Sequence, residues 1–170
     1  MRPELTVPVA ALAVVAVMMF TELRRSRINE RALRRNGAVE PPDDVYRAMA
    51  IVYPGMFIAM AAEGAFLGPA ATTWLITGVV MFAAAKALKL WAISALGPRW
   101  SYRVLVVPAA PLVMSGPYAR LRHPNYVAVF GEIAGFALIV SAKATGVLSL
   151  AVFAILMRKR IAVEERALGL

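Results

Sequence analysis

Five stretches of this chain are almost free of charge, and no other feature limits its fold so sharply. Leu5–Phe20, Ala48–Ala62, Pro69–Ala85 and Gly146–Met157 carry no charged residue, and Tyr126–Ile139 carries only Glu132. In hydrocarbon every backbone N–H and C=O must find its partner inside the segment, which leaves the α-helix as the natural solution for such runs. Of the 170 residues, 61% are hydrophobic; a soluble domain is nearer half. The expectation is an all-α polytopic membrane protein with five transmembrane helices. A span takes about 20 apolar residues, so the last two runs need snorkelling Arg and Lys side chains or a locally thinner bilayer. The first run has a weak basic flank and no small-residue cleavage site before its basic block, so it reads as a retained helix rather than a signal peptide.

The net charge of +9 has a geographical pattern. Arg24, Arg25, Arg27, Arg31, Arg34, Arg35 and Arg47 lie between runs one and two. Lys86, Lys89, Arg99, Arg103, Arg120 and Arg122 lie between three and four, and Arg158, Lys159, Arg160 and Arg166 follow five. Of the 19 cations only Arg2 and Lys143 fall on the other side. Cations collect on the cytoplasmic side of membrane helices, so the N-terminus is expected outside and the C-terminus in the cytoplasm. The same pattern argues for a lipid bilayer, not nucleic acid, as the partner of these charges. The chain has no cysteine, which removes disulfides and thiolate metal ligands. One histidine and scattered carboxylates make a poor zinc site, and no glycine-rich phosphate loop is present.

Between the runs lie several polar connectors. Glu22–Asn36 is rich in helix formers and reads equally as a helix on an anionic leaflet or as a solvated basic connector. Pro41-Pro42-Asp43-Asp44 breaks the chain and offers a cap to the next helix. Glu63 sits at a turn. Trp91, Trp100 and Tyr102 read as interfacial belt residues. Leu96–Ser115 is long for a simple loop, and long ordered loops are often functional.

The densest polar chemistry is Gly116-Pro117-Tyr118-Ala119-Arg120-Leu121-Arg122-His123-Pro124-Asn125-Tyr126, which holds the only histidine. Proline disfavours helix at the residue before it and tolerates a helix start, so His123 is expected at a helix N-terminus. Free N–H groups there suit an anion. Runs four and five form an antiparallel hairpin, which brings His123 and Tyr126 beside Arg160 and Glu164. Mixed cations and carboxylates suit a zwitterion or a nucleotide-like molecule: Glu164 and Glu165 for cations or ribose hydroxyls, Arg160 for an anion on an acceptor. An interfacial histidine beside a positive-inside anchor is the bland alternative. Glu132, six residues into run four, must be paired, protonated or cavity-lining, because a lone carboxylate in lipid is costly.

Gly116-Pro117-Tyr118, then Arg122-His123-Pro124-Asn125-Tyr126, then a hairpin, then Arg160-x-x-x-Glu164-Glu165, resembles the isoprenylcysteine carboxyl methyltransferase family from about Trp91 to Leu168. The resemblance implies an integral-membrane methyltransferase that takes a methyl group from S-adenosylmethionine. It implies cofactor contacts from Arg103, Ala110, Pro111, Leu112, Val113, Tyr118, Arg122, His123, Pro124, Asn125, Tyr126 and Glu164, with Arg160 and Glu132 toward the substrate. His123 or Glu132 would act as base only for a hydroxyl acceptor. Residues 1–90 would form membrane helices one to three, and 91–170 the cofactor-binding region with its pocket at the cytoplasmic side of the last hairpin. Ala110 stands where many members have histidine, and Ala128 where many have glycine. The implied acceptor is lipophilic or lipidated: a prenylcysteine carboxylate or, on similarity to small bacterial members, an alkylpyrone or alkylresorcinol. The rivals are a phospholipid N-methyltransferase, a nicotinamide-dependent membrane reductase and a small non-enzymatic membrane protein. The short, Ala/Val/Arg-rich style suits a bacterial cytoplasmic membrane.

Overall fold

The structure, a computed structural model, describes residues 3–169. Arg2, one of the two cations assigned to the far side, lies outside the described residues. The chain forms five helices: α1 Pro3–Arg35, α2 Tyr46–Leu67, α3 Thr72–Leu96, α4 Pro124–Ile139 and α5 Ala144–Leu168. The described residues hold no strand, only a single antiparallel bridge between Val39 and Val106. The all-helical expectation holds, but the five helices are not five equivalent spans. Leu5–Arg35, Tyr46–Leu67 and Thr72–Arg99 are long and apolar enough to cross a membrane. The 16-residue α4 is apolar but short, at about 24 Å against a hydrocarbon core of about 30 Å. The 25-residue α5 is apolar only as far as Met157; Arg158, Lys159, Arg160, Glu164, Glu165 and Arg166 follow.

The basic stretch after the first run is neither a separate surface helix nor a loose connector. It continues α1 without a break to Arg35. The reason lies in its periodicity. Glu22, Ser26 and Leu33 are buried on one face, while Arg24, Arg25, Arg27, Arg31, Arg34 and Arg35 stay exposed. Positions four and seven apart share a helix face, so the arginines remain solvated while the other face docks. Asn29 on that face donates to the carbonyls of Trp100 at 2.8 Å and Gly97 at 3.2 Å.

Helices α3 and α4 cross in close contact because small residues let the backbones approach. A Cβ on Gly135 would lie 2.7 Å from the Phe82 backbone nitrogen and 2.9 Å from the Gly78 carbonyl oxygen. A Cβ on Gly131 would lie 2.7 Å from the Ala85 Cβ. Gly131 and Gly135 therefore provide the close approach, and Ala128, buried at 1% exposure, does not prevent it. Aromatic edges knit the neighbouring core: Phe57 meets Phe136 with centroids 4.9 Å apart, and Phe130 meets Phe153 at 4.8 Å. At the end away from the basic clusters, the Glu63 carboxylate accepts from the backbone N–H groups of Ala144 at 2.9 Å and Thr145 at 2.7 Å. A residue of α2 thus caps α5, satisfying donors that a helix start leaves free.

At the basic end two connectors strap together. Val39 and Val106 exchange backbone hydrogen bonds of 2.9 and 3.0 Å. Asp44 accepts from the backbone N–H of Val104 at 2.9 Å and of Tyr46, the first residue of α2, at 3.1 Å. Arg103 lies over the Tyr46 ring and donates to Glu40 at 2.6 Å. Burial alone would raise the Glu40 carboxyl, but hydrogen bonds from Arg103 and Arg34 outweigh it and hold the group below the usual carboxylate range.

Two outcomes follow. Gly135→Ala must push α3 and α4 apart and should cost about 1–3 kcal/mol, whereas Gly55→Ala, with open space at its Cβ, should be neutral or slightly stabilising; thermal unfolding in detergent reads both. Because the Glu40 pKa is lowered on folding, its stabilisation is present at neutral pH and fades as pH falls through the folded-state value. The Tm gap between wild type and Glu40→Gln should therefore be constant above about pH 5 and close below the ordinary carboxylate pKa of about 4.3.

Candidate active site

The polar stretch before α4 is shaped by two local constraints. Gly116 has φ +60°, and a Cβ there would sit 3.2 Å from the Trp91 indole nitrogen. Only glycine meets both demands, and it lets the short 3-10 turn Gly116–Ala119 tuck against α3. Pro124 then opens α4, leaving His123 as the residue that caps it in a non-helical conformation. The His123 ring stacks on Tyr126 at 5.2 Å with 14° between planes.

The hairpin brings the expected partners together. His123 Nε2 lies 3.4 Å from Glu165, and Nδ1 lies 3.9 Å from Glu164. The Tyr126 hydroxyl donates to Glu164, and Arg160 Nε donates to the Tyr126 oxygen at 3.1 Å. Arg122, 76% exposed at the side chain, is 3.5 Å from Glu165. Burial, and then the Glu164 carboxylate, raise the Tyr118 phenol above its ordinary value, so it stays a neutral donor. Arg160 does not pair with Glu164. It donates instead to the Tyr102 carbonyl at 2.6 Å and lies 3.4 Å from Asp44, so a buried guanidinium ties α5 to both connectors.

Deeper in the bundle lies a square of charge. Glu22 of α1 and Glu132 of α4 each contact both Lys86 and Lys89 of α3, at 2.9 and 2.7 Å for Glu22 and 2.6 and 3.1 Å for Glu132. Each carboxylate also accepts a phenol: Tyr102 to Glu22 at 2.9 Å, and Tyr53 to Glu132 at 2.7 Å. Lys89 and Glu132 are each 1% exposed. Buried charges persist only when paired and hydrogen-bonded; each of the four groups is paired and makes at least one hydrogen bond, while Glu132 Oε1 meets Lys86 as an ion pair without a hydrogen bond.

One cavity of about 560 Å³ connects these features, within the range of about 300–1,000 Å³ typical of small-molecule sites. Its polar end is lined by Tyr118, Arg122, His123, Asn125, Tyr126, Arg160 and Glu164, and its side by Arg103, Ala110, Pro111, Leu112 and Val113. The Asn125 amide oxygen is buried there without a hydrogen-bond partner. The other end is apolar: Met19, Phe20 and Leu23 of α1, Ala50 and Pro54 of α2, and Phe153 and Met157 of α5. Phe20 also lines the cavity while 68% exposed on the bundle's outer face. Phe20 thus stands at once on the cavity wall and on the bundle's surface, leaving the wall at α1 one side chain thick.

Two nominated residues sit elsewhere. Pro124 is buried in the helix start and does not line the cavity. Glu132 does not line it either; Tyr53 and Lys89 stand between, because the two lysines draw the carboxylate inward. Several participants escaped the sequence. Lys86 and Lys89 read as positive-inside flanks, yet they lie three apart on one helix face, the spacing at which two cations can share a partner. Trp100 and Tyr102 read as belt residues, but Trp100 is 3% exposed and Tyr102 is hydrogen-bonded inside. Tyr53 gave no signal beyond a buried acid's need for donors; Asp44, expected with Asp43 as a cap for the next helix, does accept from the Tyr46 N–H, but its contact with Arg160 was not legible.

The chain is similar along most of its length to two bacterial proteins. It is 29% identical to "Uncharacterized protein YpbQ" of Bacillus subtilis over 157 residues, 92% of this chain and 94% of that protein. It is 24% identical to an "Uncharacterized protein" of Haemophilus influenzae over 158 residues, 92% of each chain. No solved structure matches it. Residues 74–169, which include Lys89, the long connector and the whole His123–Glu164 constellation, match the isoprenylcysteine carboxyl methyltransferase family. With more than half its length in that match, this chain belongs to the isoprenylcysteine carboxyl methyltransferase family, a family of membrane methyltransferases.

Proposed function

We propose that the protein transfers a methyl group from S-adenosylmethionine to the oxygen of a lipophilic acceptor, with both substrates in the one cavity. The observation that carries this reading is the cavity's lining, charged and polar around His123, Arg160 and Glu164 and apolar around Phe20, Pro54 and Phe153. A charged cofactor and a lipid tail each find the solvent they need.

The residues at the polar end fit the cofactor. Arg122 would take its carboxylate, Glu164 its ammonium or ribose hydroxyls, and the unpartnered Asn125 oxygen a further donor. Tyr118 and Ala110–Val113 offer a flat apolar wall for the base. When bound, the cofactor supplies an activated methyl carbon on a sulfonium centre. The chain's own contribution is alignment and exclusion of water. Tyr126, fixed between Arg160 and Glu164, holds the polar end in register with the apolar one. Arg160 has five N–H donors and keeps capacity for an anionic acceptor group. A carboxylate acceptor needs no base. For a phenol or enol, His123 or the Glu132 network would accept the proton.

The orientation proposed is the one the charges support: N-terminus outside, basic end and polar mouth in the cytoplasm, where the cofactor is made. The setting is a bacterial cytoplasmic membrane. Alkylpyrone, alkylresorcinol and prenylcysteine are the acceptor candidates. Phospholipid N-methylation is less favoured, because the cavity's inner wall presents Lys89 rather than a carboxylate to an incoming cation.

Calorimetry of the detergent-purified protein with S-adenosylmethionine tests the reading. Wild type should bind, and His123→Ala and Glu164→Ala should each weaken binding at least about tenfold, the loss expected for a hydrogen bond to a charged group. Absence of binding in wild type, or equal binding in all three, would contradict it.

A further inference from the structure

The charge square has a side that its structural role leaves unused. Of its six members, Tyr53, Lys89 and Tyr102 line the cavity, whereas Glu22 and Glu132 do not. The cavity wall thus holds residues that carry an ammonium and phenols, and neither carboxylate is on it. Bilayer burial alone would not require this arrangement; pairing the charges needs no contact with a cavity at all.

The hydrogen-bond inventory says what that side can accept. Lys89 carries three N–H donors, and two are committed, to Glu22 at 2.7 Å and Glu132 at 3.1 Å. One donor remains at a residue on the cavity wall. Tyr53 has one O–H, committed to Glu132 at 2.7 Å, so its oxygen is left as an acceptor. A spare donor beside a spare acceptor is the complement of a hydroxyl group. Tyr53 also stands where the apolar chamber begins, with Pro54 next in sequence and its ring 6.2 Å from Phe153. A hydroxyl placed there would be carried by an apolar tail.

We propose that Lys89 and Tyr53 form the subsite for the acceptor oxygen, that the acceptor is a lipid bearing an acidic hydroxyl, and that Tyr53 relays its proton to Glu132. The inference rests on the methyltransferase reading only for what happens to that oxygen next. The acceptor hydroxyl donates to the Tyr53 oxygen and accepts from Lys89. As the acceptor oxygen forms its bond to the methyl carbon, the carbon–sulfur bond breaks and its electron pair stays on sulfur. The hydroxyl proton passes to Tyr53 while the Tyr53 proton passes to the Glu132 carboxylate. The sulfonium loses its positive charge and Glu132 its negative one, so the balance closes. Protonated Glu132 leaves the two lysines facing only Glu22, and that excess positive charge returns the proton to the cavity once the product leaves. Neither the positive-inside reading nor simple helix packing assigns Tyr53 such a place.

The subsite can be read without the cofactor. The probe is 4-dodecyl-2-nitrophenol, an acidic phenol with an alkyl tail, whose ionisation is visible by its absorbance. Bound to the detergent-purified protein, it should ionise at a pH lower by about one unit or more than in the same detergent alone, because a cation and a proton acceptor both favour the phenolate. Tyr53→Phe keeps Glu132 with both lysines and preserves packing, so it should fold. It should abolish most of that shift while leaving S-adenosylmethionine affinity at the wild-type value. Dodecylamine, which brings a cation to Lys89, should not displace the probe. No shift in wild type, an equal shift in Tyr53→Phe, or displacement by dodecylamine would overturn the proposal. A shift without any S-adenosylmethionine binding would instead leave the oxygen subsite standing and remove the methyltransferase reading. In methyl transfer, Tyr53→Phe should slow 4-dodecylphenol far more than its more acidic nitro derivative; equal slowing of both would reduce Tyr53 to a structural residue.

Discussion

The interaction on which the rest of the molecule depends is the buried square of Glu22, Lys86, Lys89 and Glu132. It joins α1, α3 and α4 directly, and through Tyr53 and Tyr102 it reaches α2 and the long connector. Its net charge is zero, but removing any corner strands an unpaired charge, which in a buried ion pair costs several times more than the pair itself contributes. Apolar helices in lipid have little to choose between one rotation and another, since lipid tails are as apolar as their side chains. Four charges that must meet fix the rotation of three helices at once. The glycine seam of α3 and α4 then sets how close they come.

That rotation is what produces the cavity. With Glu22 facing inward, the same face of α1 carries Ser26 and Leu33 down onto the connector, and the Asn29 bonds to Gly97 and Trp100 hold it there. The connector in turn carries Tyr102, whose carbonyl receives Arg160. Arg160 fixes Tyr126, and Tyr126 fixes Glu164. Structure and site are therefore one hydrogen-bonded chain, running from membrane depth to the polar mouth. The apolar chamber is the space that chain leaves between α1, α2 and α5.

Much of this was legible in the sequence where a single physical rule dominated. Uncharged runs gave helices, the charge pattern gathered the basic ends, and hairpin connectivity brought His123 and Tyr126 to Arg160 and Glu164. Pro124 marked the start of α4. What stayed hidden depended on rotation about helix axes, which hydropathy does not encode. Lys86 and Lys89 looked like flanking anchors because their distance from the helix end suited that role; only the approach of Glu22 and Glu132 makes them interior residues. Glu132 was recognisable as a group in need of a partner, yet its partners could not be named. Trp100 and Tyr102 resembled belt residues because a long connector folded back into the bundle leaves no periodic trace. Glu22–Asn36 looked ambiguous for a related reason: its polar face is a docking face, and polarity alone does not separate docking from solvation.

The account stands or falls on whether a methyl group moves from the polar end of the cavity into a lipid. Purified protein incubated with methyl-labelled S-adenosylmethionine and a bacterial lipid extract, then partitioned between water and organic solvent, measures that directly. The account predicts label in the organic phase for wild type and its loss for His123→Ala. Label that stays in the aqueous phase with protein shown to be folded, or that reaches the organic phase equally with His123→Ala, would contradict it.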